Sequence, residues 1–133
     1  MADIPSTRVC GIRGATTVEY NTREAIVAAA RELLEILMER NNVTSDQVAS
    51  ALFTTTSDLD AEFPAVAARE MGWGNIALMC SHEMRVPGSL DRCLRILIHI
   101  NTQKDQGDIQ HVYLHGAKEL RPDFSGEDND QQE

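Results

Sequence analysis

The segment SLDRCLRILIHI, residues 89–100, constrains the fold of this chain more than any other stretch. Isoleucine occupies positions 96, 98 and 100, and this alternation after a Pro-Gly turn is typical of a β-strand with one buried face. The same segment also fits a helix, because Leu90, Leu94 and Leu97 lie three or four positions apart. We favour the strand, which turns Arg95 away from the core. Arginine is rarely fully buried unless it is paired, so the opposite face must offer Arg95 water or a partner.

The rest of the sequence predicts a mixture of strands and helices. An apolar stripe with helical spacing predicts a long helix over residues 21–42, capped by Asn21 with Glu24 completing a capping box. A short helix is predicted over residues 64–71. Further strands are predicted at residues 8–19, 48–56, 75–80 and 109–118. The order β-α-β-α-β-β-β indicates an α/β or α+β fold with one mixed sheet.

Length and composition indicate a single domain. A chain of 133 residues can bury one core without disulfides or metals. We expect a domain over residues 1–124, followed by an acidic, disordered tail over residues 125–133. No stretch approaches the roughly 18 apolar residues of a membrane span, and the first residues lack the pattern of a signal peptide. The three cysteines form no C-x-x-C pair, which favours reduced thiols. Together these features predict a cytoplasmic protein.

The balance of charged residues narrows the possible partners. The chain has 21 acidic and 12 basic residues and a formal net charge of −9, which argues against binding nucleic acid or anionic membranes. Ten of the basic residues are arginines and two are lysines. Arginine holds carboxylates and phosphates with two parallel hydrogen bonds, which lysine cannot do. The excess of arginine hints at a small anionic ligand, although drift in composition would also produce it.

The usual signatures of metal, cofactor and covalent chemistry are missing from the sequence. His111 and His115 would lie about 13 Å apart on a strand, too far to share a zinc ion easily. There is no glycine-rich phosphate loop, dinucleotide fingerprint or nucleophile elbow. Cys80 has His82 nearby as a conceivable base, but a small apolar thiol at a strand end is the simpler interpretation. We therefore predict no metal and no cofactor. The remaining candidates are four arginines and three possible companions: Arg13, Arg69, Arg95, Arg121, Glu83, Tyr113 and Cys80.

A family resemblance is carried by five motifs: GIRGATTVE, FPAVAAR, CSHEM, RCLRI and HVYLHGAKELRPD. In order and spacing they resemble the monofunctional chorismate mutases of the trimeric Bacillus type, over residues 10–124. The resemblance implies an α+β fold in which a mixed sheet packs against one long and one short helix. It implies a pseudo-α/β-barrel homotrimer with active sites between subunits. It also implies rearrangement of chorismate to prephenate, on the route to phenylalanine and tyrosine, without metal, cofactor or covalent intermediate.

The resemblance also assigns roles to individual residues. It makes Arg95 the cation beside the breaking ether bond and Glu83 the acceptor for the ring hydroxyl of the substrate, so these two are the expected catalytic residues. Arg13 and Tyr113 match a pair that binds carboxylate. The other matched residues are expected to bind substrate: Phe63, Ala65, Arg69, Cys80, Leu120 and Arg121. Val66 departs from the pattern, because relatives often carry lysine at that position.

Two alternatives to this function stay open at the level of sequence. A trimeric small-anion-binding or sensor module would use the same arginines to bind aromatic acids without converting them. Another enzyme on a similar trimeric scaffold, such as an enamine/imine deaminase, would share only the fold. The combination of Glu83 with Arg95 favours catalysis over simple binding, and the deaminase interpretation lacks the five motifs.

Overall fold

The computed structural model describes residues 6–120, which form a five-stranded mixed sheet with helices. The strands are β1 (Arg8–Thr17), β2 (Val48–Thr55), β3 (Ala77–His82), β4 (Cys93–Thr102) and β5 (Val112–Tyr113), in the order β3-β2-β4-β1-β5. β4 runs antiparallel to β1 and β2, whereas β3 is parallel to β2 and β5 is parallel to β1. The α-helices are α1 (Arg23–Arg40) and α2 (Ala65–Glu70). The predicted α+β fold, a mixed sheet with one long and one short helix, is confirmed.

The segment around Arg95 forms the central strand β4, as predicted. Leu94, Ile96 and Ile98 are buried on one face, while the Arg95 side chain on the other face is 47% exposed. Arg95 pairs in register with Ala15 of β1 on one side and with Thr54 of β2 on the other. A strand with hydrogen-bonded neighbours on both sides holds its backbone in place, so the guanidinium projects from a fixed point.

Helix α1 packs directly against the backbone of β1. Its buried residues have the predicted helical spacing: Ile26, Ala30, Leu33, Leu34 and Leu37. Gly14 lies beneath them, and a Cβ atom at that position would come within 2.9 Å of Leu37 Cδ1 and 3.0 Å of Leu33 Cδ1. A larger residue would push α1 outward, so glycine is required here by close packing. The helix therefore covers the face of the sheet that carries Ile96 and Ile98.

The opposite face of the sheet carries a small apolar cluster and a number of exposed side chains. Ala15, Cys93, Tyr113 and Ala117 are buried together, with Leu90 and Leu120 packed against them. Farther along the same face, Val9 and Met79 are 62% and 66% exposed. Neither α-helix covers this face, which leaves room for a binding site around Arg95.

Two local predictions were wrong. Thr22, not Asn21, caps α1, because Thr22 Oγ1 accepts a hydrogen bond from Ala25 N at 3.1 Å. The last strand was predicted over residues 109–118, but β5 contains only two residues and is followed by the 3₁₀ turn His115–Leu120. His115 starts that turn with a φ of 53°, a left-handed conformation that ends the strand.

The predicted tail, residues 125–133, lies outside the described residues. Within residues 6–120, no helix is both long enough and apolar enough to cross a membrane.

Candidate active site

A cavity of about 260 Å³ opens on the face of the sheet that carries Arg95. Its walls come from four strands and from two segments that follow strands. Five of the predicted site residues line it: Arg13, Glu83, Arg95, Tyr113 and Leu120. We call these five residues the arginine group. Side chains that are far apart in the sequence meet here because β2, β4 and β1 are neighbours in the sheet. Side chains that project from the same face of neighbouring strands lie on one surface.

Arg95 and Glu83 form an ion pair inside this cavity. Arg95 Nε lies 3.5 Å from Glu83 Oε2, and the Glu83 side chain is 26% exposed. Glu83 follows β3 directly, and its backbone N donates to the carbonyl oxygen of Thr55 at 2.8 Å, which extends the pairing of β3 with β2 by one residue. A half-exposed pair of this kind adds little to stability. Its effect is to fix a cation and an anion side by side in a cavity.

Arg13 and Tyr113 lie on the other side of Arg95. The backbone N of Arg13 donates to His111 Nδ1 at 2.9 Å, so the segment before β5 covers the edge of β1. Tyr113 pairs with Ala15 in the parallel ladder and is 5% exposed. The Arg13 side chain is exposed and lines the cavity. Two guanidinium groups therefore border the same space, an arrangement that suits a ligand with more than one carboxylate.

A second cavity, of about 280 Å³, lies between β3 and the segment before α2. Phe63 and Cys80 line it, and the Phe63 side chain is 65% exposed. Ala65 is buried at the start of α2, and Arg69 is exposed on the same helix. We call Phe63, Ala65, Arg69 and Cys80 the helix group. Within one chain the structure therefore separates the predicted residues into two groups. Arg121 lies outside the described residues.

Cys80 has the properties of a wall residue. Burial raises the pKa of the Cys80 thiol, although a hydrogen bond from the Ala65 backbone and the charge of Arg69 oppose the shift. The thiol therefore stays protonated at neutral pH and is a weak nucleophile. This agrees with the interpretation of Cys80 as a small apolar side chain, although Cys80 lies within β3 and not at its end, because the strand continues to His82.

The two histidines considered as zinc ligands have separate partners. His111 Nδ1 accepts the hydrogen bond from Arg13, and His115 Nε2 lies 3.2 Å from Glu32 Oε1. Among residues 6–120, no cluster of three histidine, cysteine, aspartate or glutamate side chains has a geometry that could hold a metal ion.

Sequence reasoning missed a network that fixes the start of β4. Both Asp58 carboxylate oxygens accept hydrogen bonds from the Arg92 backbone N, at 3.0 and 3.2 Å. Thr56 Oγ1 donates to Asp58 and accepts from Cys93 N at 3.0 Å. Arg92 has a φ of 44°, so these bonds hold a left-handed residue just before the strand that carries Arg95.

We expect Asp58→Asn to destabilise the protein at neutral pH but not in acid. Burial pushes the pKa of Asp58 upward, but hydrogen bonds from Thr56 and the Arg92 backbone and the charge of Arg92 hold it below its ordinary value of 3.8. A carboxylate with a lowered folded-state pKa contributes stability above its unfolded pKa, and that contribution is lost as the pH falls through the folded pKa. Urea unfolding between neutral pH and acid should therefore show the gap between wild type and variant closing in acid. A gap that stays constant with pH would contradict this role for the ionised carboxylate.

Comparison with known proteins identifies the family. Residues 9–124 match the model of chorismate mutase type I. The chain belongs to this family. It is 48% identical over 117 residues to chorismate mutase AroH of Thermus thermophilus, covering 87% of this chain and 96% of the relative. It is 44% identical over 116 residues to chorismate mutase AroH of Bacillus subtilis (strain 168), covering 86% and 91%.

A solved structure supports the same assignment. The chorismate mutase from Clostridium thermocellum superimposes with a TM-score of 0.82 at 55% sequence identity, covering 83% of this chain and 98% of that one. The family resemblance predicted from five sequence motifs is therefore confirmed.

Proposed function

We propose that this protein is a chorismate mutase that rearranges chorismate to prephenate for phenylalanine and tyrosine biosynthesis. Membership of the chorismate mutase type I family over residues 9–124 supports the reaction. The observation that carries the proposal is the cavity in which Arg13, Arg95 and Glu83 meet. Two cations and one acceptor of hydrogen bonds match a substrate with two carboxylates and a hydroxyl group. As a biosynthetic enzyme without a membrane-spanning helix in residues 6–120, it is proposed to act in the cytoplasm.

Arg95 is proposed to stabilise the transition state. In this Claisen rearrangement an ether C–O bond breaks while a C–C bond forms, and negative charge grows on the ether oxygen. A fixed cation beside that oxygen binds the transition state more strongly than the ground state, which is the condition for raising kcat. Since Arg95 Nε faces Glu83, its two terminal nitrogens are the donors proposed for the substrate.

Arg13, Tyr113 and Glu83 are proposed to select the reactive shape of the substrate. Chorismate reacts only when its enolpyruvyl side chain lies over the ring, and holding its ends in place removes much of the entropic cost of that shape. Arg13 and Tyr113 would hold carboxylate, while Glu83 would accept the hydrogen bond from the ring hydroxyl. Leu120 lines the wall of the same cavity, and Arg121 is proposed to close over it. The rearrangement is unimolecular and forms no covalent intermediate, so no metal or cofactor is proposed.

The helix group is proposed to complete this site from a neighbouring chain in a homotrimer. Phe63 and Cys80 line a different cavity of the same chain from the arginine group, and Ala65 and Arg69 lie on the adjoining helix α2. Exposed apolar side chains at Val9, Phe63 and Met79 support burial of these surfaces against another chain. In this arrangement each active site lies between subunits, and Arg69 of one chain adds a third cation to the site of the next. Residues 1–124 are proposed to form the catalytic domain.

A direct assay tests this function. Purified protein in the presence of a chelator should convert chorismate into prephenate, followed by proton NMR so that substrate and product are both identified. Arg95→Ala protein purified in the same way is the matched control, because it excludes activity from a contaminating host enzyme. Chorismate that disappears no faster than in buffer, at saturating concentration, would overturn the proposal. Binding without conversion would then favour a small-anion-binding module.

A further inference from the structure

We propose that Thr54 is a positioning residue that keeps Glu83 from neutralising Arg95. This inference rests on the proposed function. Thr54 lines the same cavity as Arg95 and Glu83, and its Oγ1 donates a hydrogen bond to Glu83 Oε2. The contact is direct, and it joins a strand of the sheet to the carboxylate proposed to bind the ring hydroxyl.

Thr54 and Arg95 both contact the same oxygen of Glu83. Thr54 Oγ1 donates to Oε2, and Arg95 Nε lies 3.5 Å from that same Oε2. Because the Thr54 hydroxyl occupies Oε2 and Arg95 lies within ion-pair distance of that oxygen, Oε1 is the oxygen proposed to accept from the hydroxyl of the substrate. Glu83 is therefore held as a single-oxygen partner of Arg95, in place of the two-oxygen partner that carboxylates commonly become.

The sheet makes Thr54 a rigid donor. Thr54 pairs in register with Arg95 of β4 on one side and with Ser81 of β3 on the other. Its branched side chain has few χ1 rotamers, so the hydroxyl direction follows from the backbone. The backbone N of Glu83 is also tied to β2, through its 2.8 Å hydrogen bond to the carbonyl oxygen of Thr55. Backbone and side chain of Glu83 are thus both anchored on consecutive residues of one strand.

The consequence concerns the charge available to the transition state. Without the Thr54 hydroxyl, Glu83 is free to turn both oxygens towards the guanidinium of Arg95 and form two parallel hydrogen bonds. Such a pair would occupy a terminal nitrogen of Arg95 and cancel part of its charge. The ether oxygen would then face a weaker cation, while the carboxylate contacts of Arg13 and Tyr113 would be unaffected. The loss should therefore fall on kcat more than on KM.

Serine and alanine at position 54 form the matched test, because they differ by the hydroxyl oxygen alone. Thr54→Ala should lower kcat about ten- to a hundredfold, as expected for losing a hydrogen bond to a charged group, with KM changed by less than about threefold. Thr54→Ser should stay within about threefold of wild type. Thr54→Val, which keeps the shape of threonine, should behave like Thr54→Ala. In a Glu83→Gln background the alanine variant should add little further loss, because the two residues act together.

Thr102→Val is the control for removing a threonine hydroxyl from this sheet. Thr102 is buried at the far end of β4, and its Oγ1 accepts a hydrogen bond from Lys104 N at 3.1 Å. The kcat of the Thr102→Val variant should equal that of wild type. Equal kcat values for the serine and alanine variants at position 54 would overturn the inference. A Thr54→Ala variant in which KM rises while kcat stays at the wild-type value would overturn it as well. A wild-type protein without mutase activity would instead overturn the proposed function, so the two failures are distinguishable.

Discussion

Replacing Arg95 by alanine is expected to lower kcat by at least about a hundredfold while changing KM much less. Removing one fixed donor from developing negative charge typically costs on the order of 3 kcal/mol or more. The Arg95 side chain is 47% exposed, so its loss should leave the fold intact. Steady-state kinetics with chorismate would measure both constants. A variant in which kcat survives and only KM rises would show that Arg95 binds substrate without stabilising the transition state.

Two further arginine variants define what Arg95 contributes. Arg95→Lys keeps a positive charge but loses the planar fork, so recovery of most of the lost kcat would mean that charge alone suffices. We expect only partial recovery, because the lysine ammonium cannot serve Glu83 and the substrate with separate, fixed nitrogens. Arg31→Ala is the matched control. Arg31 is half-exposed on α1 and pairs with Glu35 of the same helix, so its loss should leave kcat unchanged.

The placement of Arg95 could be predicted from sequence because it depends on local alternation. Three isoleucines at every second position defined the buried face of β4, and Arg95, one position before the first of them, necessarily took the other face. The stripe of α1 was predictable for the same reason, since a period of 3.6 residues fixes which side is buried. Such patterns depend only on residues that are close together in the sequence, so they can be recognised without knowing how the rest of the chain folds.

The division of the site into two groups could not be predicted in this way. It depends on the strand order β3-β2-β4-β1-β5, which brings segments about a hundred positions apart together, as in the pairing of Arg8 with Thr102. The three consecutive threonines at positions 54–56, at the end of β2 and the start of the following loop, also have contacts that could not be predicted from sequence. Thr54 bonds Glu83, Thr55 bonds the carbonyl oxygen of Leu59, and Thr56 bonds Asp58. Nothing in the triplet itself distinguishes these roles.

The choice between Asn21 and Thr22 as helix cap shows why adjacent candidates are hard to separate. Both residue types favour the cap position. Asn21 Oδ1 instead accepts hydrogen bonds from the backbone N atoms of Asp60 and Ala61, each at 3.0 Å. This contact ties the start of α1 to the loop that precedes Phe63. A tertiary contact thus decided between two side chains that local preference treats alike.

The two groups of site residues predict that two impaired variants will restore each other. If each active site takes the arginine group from one chain and the helix group from the next, Arg95→Ala damages one half of the site and Arg69→Ala the other. The Arg95 side chain is 47% exposed and Arg69 is exposed on α2, so both variants should fold. In trimers assembled at random from equal amounts of the two chains, about a quarter of the sites would contain both arginines. The remaining sites would lack one arginine or both.

Co-expression of Arg95→Ala and Arg69→Ala chains, followed by measurement of kcat/KM, is therefore the most direct test of a site shared between chains. We expect about a quarter of the wild-type value per site, well above either variant alone. Arg95→Ala co-expressed with Glu83→Gln is the control, because both changes lie in the arginine group and no site can be complete. A mixture of Arg95→Ala and Arg69→Ala that shows only the average of the two separate activities would contradict the shared site.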